Sequence, residues 1–308
     1  MYETAPVSKR DGSPVIGLAL GSGAARGWSH IGVINRLIRM GVRPDVVAGC
    51  SIGALVGAAL VSGRVEALGE WVKSLDWQDV VGMLDISLKG GLIRGDRVVQ
   101  YCSQQFFSGE FSELSVPFAC VATELSSGRE VWLREGSLAE AVRASIALPG
   151  LFSPALRNGR VLVDGGLVNP VPISLCRALG ADLVIAVELG SGVLGRALRK
   201  DERSAPFGGE NWAQRLLATI GWRGDDGDGE TTSIATPSLA DVVTSSINIM
   251  QMRIARSRLA GEPADVLISP RVAHLGMMEF DRATEAIAEG EAAVERAQPA
   301  LKQVLGLE

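Results

Sequence analysis

Two strand-turn-helix units follow one another before Ser62, and this succession restricts the chain to an α/β fold. Val15 to Leu20 is a short apolar run that ends in the small-residue turn Gly21-Ser22-Gly23-Ala24-Ala25-Arg26-Gly27. After it, Ile31, Ile34, Leu37 and Ile38 recur at helical spacing. Asp45-Val46-Val47-Ala48 reads as a second strand, Gly49-Cys50-Ser51-Ile52-Gly53 as a sharp turn, and Ala54 to Val61 as a helix of small residues. Strands that each lead into a helix cannot pair as hairpins. They stack as a mostly parallel sheet with helices on both faces. Further strands are predicted at Val116 to Ala122, Glu130 to Leu133, Val161 to Val163, Leu183 to Val187 and Val266 to Ile268.

At 308 residues the chain has room for one large domain, expected over residues 15–308 after a tail at 1–14. Regular patterning lapses over about residues 190–237, where Pro206-Phe207-Gly208-Gly209 and an acidic run from Asp225 to Glu230 suggest a mobile insertion. The acidic run lacks the ligand spacing of a calcium loop. Helical spacing returns at Leu239 to Leu259, expected to lie on its own sheet, and again at Ala283 to Val304.

The formal net charge of −5, with no basic block, argues against a nucleic-acid partner. No apolar stretch approaches the roughly 18 residues of a membrane span, and Met1 to Pro14 lacks a signal-peptide core, so a cytoplasmic protein is expected. Cys50, Cys102, Cys120 and Cys176 are scattered and indicate neither disulfides nor zinc.

Gly49-Cys50-Ser51-Ile52-Gly53 fits G-x-S-x-G, in which small flanking residues let a strand turn into a helix so sharply that the serine oxygen stays exposed. The pattern arises easily by chance in a chain with 37 glycines, so its weight comes from its placement between a strand and a helix. The helix dipole favours negative charge developing near Ser51. The earlier loop misses the dinucleotide pattern, because Gly27 comes one residue too late after Gly21 and Gly23, and no acidic residue ends the second strand. Its backbone N–H groups suit an oxyanion instead.

A serine needs a proton acceptor. Of the two histidines, His30 sits just past the glycine loop, where bracing is the simpler role. His274 follows the last strand and would complete a Ser51, Asp164, His274 order. Asp164, at the end of Val161-Leu162-Val163 and followed by Gly165 and Gly166, is the other acceptor. Without a histidine it would take the Ser51 proton itself, in concert with attack and with strong oxyanion support.

The glycine loop with Arg26, the Ser51 pentapeptide and Asp164-Gly165-Gly166 occur in order, joined by Ser-Ile-Ala-Leu-Pro-Gly-Leu-Phe from Ser145 to Phe152 and by Gly180-Ala181-Asp182. Together they resemble the patatin-like phospholipases, most closely the neuropathy target esterase branch and its small bacterial members. The resemblance runs from about Ile16 to Leu189. It implies the patatin-like three-layer α/β fold and hydrolysis of phospholipid or lysophospholipid esters by a Ser-Asp dyad through an acyl-enzyme, with no metal or organic cofactor. It further implies Ser51 as nucleophile, Asp164 as base, and the N–H groups of Gly23, Ala24 and Ala25 as oxyanion donors, with Arg26 fixing the loop. Gly21, Gly27, Gly49, Gly53, Gly165 and Gly166 become the motif glycines. The chain departs from the unbroken glycine triplet of plant patatins at Ser22 and Ala24, which leaves the donor identities open.

Two other function classes stay open: a small-ester or thioester hydrolase using the Ser51, Asp164, His274 triad, and a regulatory scaffold with a vestigial site. A lipid or acyl-ester substrate is the expected partner, with weak peripheral membrane contact. Trp212, Leu216, Leu217 and Ile220 form one helical stripe in the insertion, read as either a core face or a lid that meets lipid.

Overall fold

The computed structural model describes residues 12–83, 95–190 and 239–307. The expected insertion, its Trp212 stripe and the acidic run at 225–230 fall outside the described residues.

An eight-stranded sheet forms the middle layer: β1 (Ile16–Leu20), β2 (Val46–Cys50), β3 (Phe118–Glu124), β4 (Glu130–Leu133), β5 (Ala155–Arg157), β6 (Arg160–Asp164), β7 (Leu183–Val187) and β8 (Val266–Ile268). Its order is β5-β6-β3-β2-β1-β7-β8, with β4 pairing β3 off this path. The five strands from β3 to β8 run parallel, and β4, β5 and β6 are antiparallel additions at one side. The short strand β5 escapes sequence patterning, because Ala155, Leu156 and Arg157 show no alternation that marks a buried face.

Helices cover both faces. On one lie α1 (Ser29–Arg39), α2 (Ile52–Val61), α3 (Val65–Ser74), α4 (Trp77–Met83), α5 (Asp96–Phe106), α6 (Leu138–Ser145) and the C-terminal α9 (Ala283–Leu305). On the other lie α7 (Ile173–Ala178) and α8 (Leu239–Gly261), which meet the sheet through Ile173, Leu175, Cys176 and Ala255. The expected helix at Leu239 to Leu259 is thus packed against its own sheet, though Val242, Val243, Ile249 and Met250 stay exposed.

Helices α1 and α9 touch backbone to backbone. A Cβ on Gly32 would lie 1.9 Å from the Ile287 carbonyl oxygen, and one on Gly290 would lie 2.0 Å from that of Ser29. Only glycine permits so close an approach. The contact ties the chain's C-terminal helix to the helix that follows the glycine loop.

Candidate active site

The site arises where strand ends meet. β2 pairs with β3 through Cys50 and Val121, and β6 pairs with β3 through Asp164 and Ala122. β4 takes the other edge of β3 over Cys120 to Thr123, so β2 and β6 share one edge and run toward each other. Their ends therefore converge, bringing Ser51 and Asp164 together.

Ser51 occupies the turn between β2 and α2 with φ 55° and ψ −124°, a conformation that costs a non-glycine residue on the order of 1–3 kcal/mol. The neighbours make the turn possible. A Cβ on Gly49 would lie 2.5 Å from Ala54 Cα, and one on Gly53 would lie 2.2 Å from the Leu20 carbonyl oxygen. The serine's own N–H donates to Ser145 Oγ at 2.9 Å, and the Ser145 hydroxyl donates to the Val121 carbonyl at 2.7 Å. Ser145 is fully buried at the end of α6 and clamps the elbow to β3. Ser145 opens one of the blocks that carry the family resemblance, but its clamping role has no signal in local residue chemistry, because a serine near a helix end is ordinary.

The Ser51 hydroxyl donates to Asp164 Oδ2 at 2.5 Å, while Asp164 Oδ1 accepts the Gly166 N–H at 2.7 Å. The Asp164 backbone is held as well: its N–H donates to the Ala147 carbonyl at 2.9 Å, and its carbonyl accepts the Thr123 hydroxyl at 2.8 Å. Burial pushes the Asp164 pKa up to about 6, while the hydrogen bonds from Ser51 and Gly166 pull the other way.

The glycine loop lies beside this pair because β1 and β2 are in register with Leu20 opposite Gly49. Gly21 N–H donates to Val187, Ser22 N–H to Pro170, Ala25 N–H to Met277 and Arg26 N–H to Gly23. The sequence-level assignment of Ala25 as a donor to substrate is therefore corrected: its N–H is already engaged by the Met277 carbonyl at 3.0 Å. The N–H groups of Gly23 and Ala24 have no hydrogen-bond partner among the described residues. Ala24 takes φ 50°, which turns the chain at this point.

Arg26 is buried, and its Nε donates to the Leu275 carbonyl at 2.8 Å. Burial lowers its pKa, and Glu279 offsets part of that shift. With Trp28 Nε1 donating to the Phe280 carbonyl, the stretch Leu275 to Phe280 straps the loop from outside. Sequence reasoning missed this strap. His30 braces the loop from within. Its buried Nε2 lies 2.8 Å from the Gly21 carbonyl and must carry the proton there, since a carbonyl only accepts. Burial lowers the His30 pKa to about 4, which keeps the ring neutral.

His274 stands apart from the pair. Its Nε2 lies 2.6 Å from Glu285 Oε1. Among the described residues no hydrogen bond joins His274 to Ser51 or Asp164, as a triad demands; the partners of Asp164 Oδ2 and Oδ1 are the Ser51 hydroxyl and the Gly166 N–H.

An apolar channel leads away from Ser51. Its empty volume is about 800 Å³, open mouth included. Leu55 of α2, Trp71 of α3, Val98 and Cys102 of α5, and Ile146, Leu148 and Leu151 beyond α6 line it together with Ala24 and Ser51. Such a wall can take an alkyl chain and offers almost nothing to a polar one.

Comparison with known proteins agrees with this architecture. Residues 18–177 match the patatin-like phospholipase family. The chain is 33% identical to an NTE family protein of Mycobacterium tuberculosis over 335 residues, covering 94% of this chain and 93% of that protein. It is 34% identical to human patatin-like phospholipase domain-containing protein 6 over 184 residues, which is 57% of this chain and 13% of that longer protein. Lysophospholipase nte1 of Emericella nidulans is 29% identical over 191 residues, 57% of this chain and 12% of that protein. The chain therefore belongs to the patatin-like phospholipase family, in its NTE branch, and is a lipid ester hydrolase.

Proposed function

We propose that this protein cleaves the acyl ester of phospholipids or lysophospholipids by a Ser51–Asp164 dyad. The observation that carries the reading is the 2.5 Å hydrogen bond from the Ser51 hydroxyl to a buried carboxylate at the end of an apolar channel. The acyl chain enters the channel, which leaves its carbonyl beside Ser51. As Ser51 Oγ attacks, its proton passes to Asp164 and the carbonyl oxygen gains charge facing the Gly23 and Ala24 N–H groups. The tetrahedral intermediate collapses to an acyl-enzyme, and the protonated Asp164 returns its proton to the departing alkoxide. Water, deprotonated by Asp164, then attacks the acyl-enzyme and releases the fatty acid and Ser51.

Burial helps this unusual base. A carboxyl whose pKa has risen to about 6 accepts a proton more readily than an exposed one and is still ionised at neutral pH. The name of the Emericella relative, a lysophospholipase, favours a lipid with one acyl chain. Residues 15–308 act as one domain in this reading. No helix among the described residues is long and apolar enough to cross a membrane, and contact with lipid is peripheral and transient.

The test combines a fluorophosphonate probe with lysophosphatidylcholine. Labelling at Ser51 and release of fatty acid are expected from the wild type, and neither from Ser51→Ala. A folded wild-type protein that does neither would favour the scaffold reading.

A further inference from the structure

Helix α8 crosses from the acyl channel to the glycine loop with one face buried. Val243 lies against Gly150, and Ile247 packs with Leu148 and Leu151 of the channel wall. Further along the same buried stripe, Asn248 and Gln251 face a second cleft. With its mouth included this cleft has an empty volume of about 330 Å³, less than half that of the channel at about 800 Å³. Its polar wall comprises Ser22, Gly23, Arg26, Glu188, Asn248 and Gln251.

The two amides have unused hydrogen-bonding capacity. Asn248 is 8% exposed, and its side chain makes no hydrogen bond among the described residues. Gln251 is 6% exposed; it accepts the Ser22 hydroxyl at 3.4 Å and donates to nothing among the described residues. Buried polar groups in native proteins are nearly always paired, so two such amides lining one cleft point to an occupant that pairs them.

The cleft borders the place from which the ester's alcohol departs. The Gln251 amide lies against Gly166, where a Cβ would sit 2.5 Å from Gln251 Nε2 and 2.9 Å from Asp164 Oδ1. Gln251 thus reaches both the loop that bears the Gly23 N–H and the turn that holds Asp164, the group that returns a proton to the departing alkoxide. The channel takes the acyl chain, and the Gly23 and Ala24 N–H groups face the oxyanion. Of the groups on the reacting carbon, the alcohol is left for this cleft. Arg26 and Glu188 bring one charge of each sign, which favours neither a phosphate nor an ammonium group, whereas primary amides both donate to and accept from hydroxyls.

We propose that Asn248 and Gln251 bind the hydroxyls of a glycerol alcohol, so that α8 selects glycerol esters over esters of plain alcohols. The proposal rests on the Ser51–Asp164 reading of the site.

Two esters test it. 1-Monooleoylglycerol and propyl oleate share the acyl chain and the three-carbon alcohol skeleton, and differ by the glycerol hydroxyls. Presented at equal mole fraction in the same detergent micelles, the glycerol ester should be hydrolysed by the wild type with kcat/KM about tenfold or more above that of the propyl ester. Asn248→Leu with Gln251→Met keeps side-chain volume and offers hydroxyls nothing. It should bring the ratio to within about twofold of unity, chiefly through a higher KM for the glycerol ester.

A wild-type ratio near unity overturns the proposal, and so does a ratio that the double variant leaves unchanged. A loss confined to lysophosphatidylcholine would assign the cleft to the phosphate and overturn it as well. Should the double variant fail to fold, Asn248→Leu alone, which leaves the Gly166 contact in place, carries the same comparison. Failure of the catalytic reading looks different: neither ester is hydrolysed and the fluorophosphonate does not label Ser51, which overturns both readings, whereas equal hydrolysis of the two esters overturns this one alone.

Discussion

The Ser51 hydroxyl and the Asp164 carboxylate, 113 residues apart in sequence, meet at 2.5 Å because the strands that carry them approach from opposite directions along one edge of β3. Their meeting is thus set by register. Cys50 and Asp164 oppose consecutive residues, Val121 and Ala122, so a slip of β6 would carry the carboxylate away from the serine.

Asp164 must be ionised to accept the serine proton. With its pKa raised to about 6 by burial, kcat/KM for a soluble ester should be flat above that value and should fall about tenfold per pH unit below it. A rate profile from pH 4 to 9 checks this. A plateau continuing down to pH 4 would show that the base is a carboxyl of ordinary pKa.

The same shift has a cost in stability. A folded pKa above the ordinary 3.8 favours the folded state only while the group is protonated, and that contribution is lost as pH rises through about 6. Asp164→Asn is neutral at every pH, can still accept from Gly166 N–H and can donate to Ser51 Oγ. It should lower activity by at least about a thousandfold. It should also stabilise the protein by roughly 1–3 kcal/mol at pH 8, with the gain shrinking toward pH 4. Denaturant unfolding at the two pH values measures it.

His274→Ala should leave ester hydrolysis within about twofold of wild type, since the ring is engaged with Glu285 and, among the described residues, makes no hydrogen bond to Ser51 or Asp164. A loss of about a thousandfold would restore the triad.

Ser145 is a positioning residue. Ser145→Ala removes the acceptor of the Ser51 N–H and the donor to the Val121 carbonyl, which should cost about 1–3 kcal/mol of stability. It should also lower kcat more than it raises KM, because the elbow loses its clamp while the acyl channel is untouched. Steady-state kinetics with a soluble ester separate the two parameters.

Val98 lines the channel from α5 and is only partly buried. Val98→Trp should obstruct an acyl chain and lower kcat/KM for a long-chain lysophospholipid about tenfold or more, while an acetyl ester keeps nearly its full rate. Equal losses on both substrates would place the acyl chain elsewhere.

The α/β class, the glycine loop, the Ser51 elbow and Asp164 were legible in the sequence, because each rests on local physics: an apolar run, a turn that needs small residues, a carboxylate at a strand end. So were β4, β7 and β8, whose bounds agree with the patterning. Four things depended on contacts between distant segments. The engagement of the Ala25 N–H by Met277 crosses from the first loop nearly to the C-terminus. The Ser145 clamp and the strap from Leu275 to Phe280 are hydrogen bonds to backbone carbonyls, which leave no mark on residue type. The acyl channel draws its wall from four helices and a loop, each contributing residues that in sequence look like ordinary core. Local sequence carries the chemistry of a residue and the turn it sits in, whereas which donors stay unpaired and which apolar faces remain unfilled depend on every other segment that packs against them.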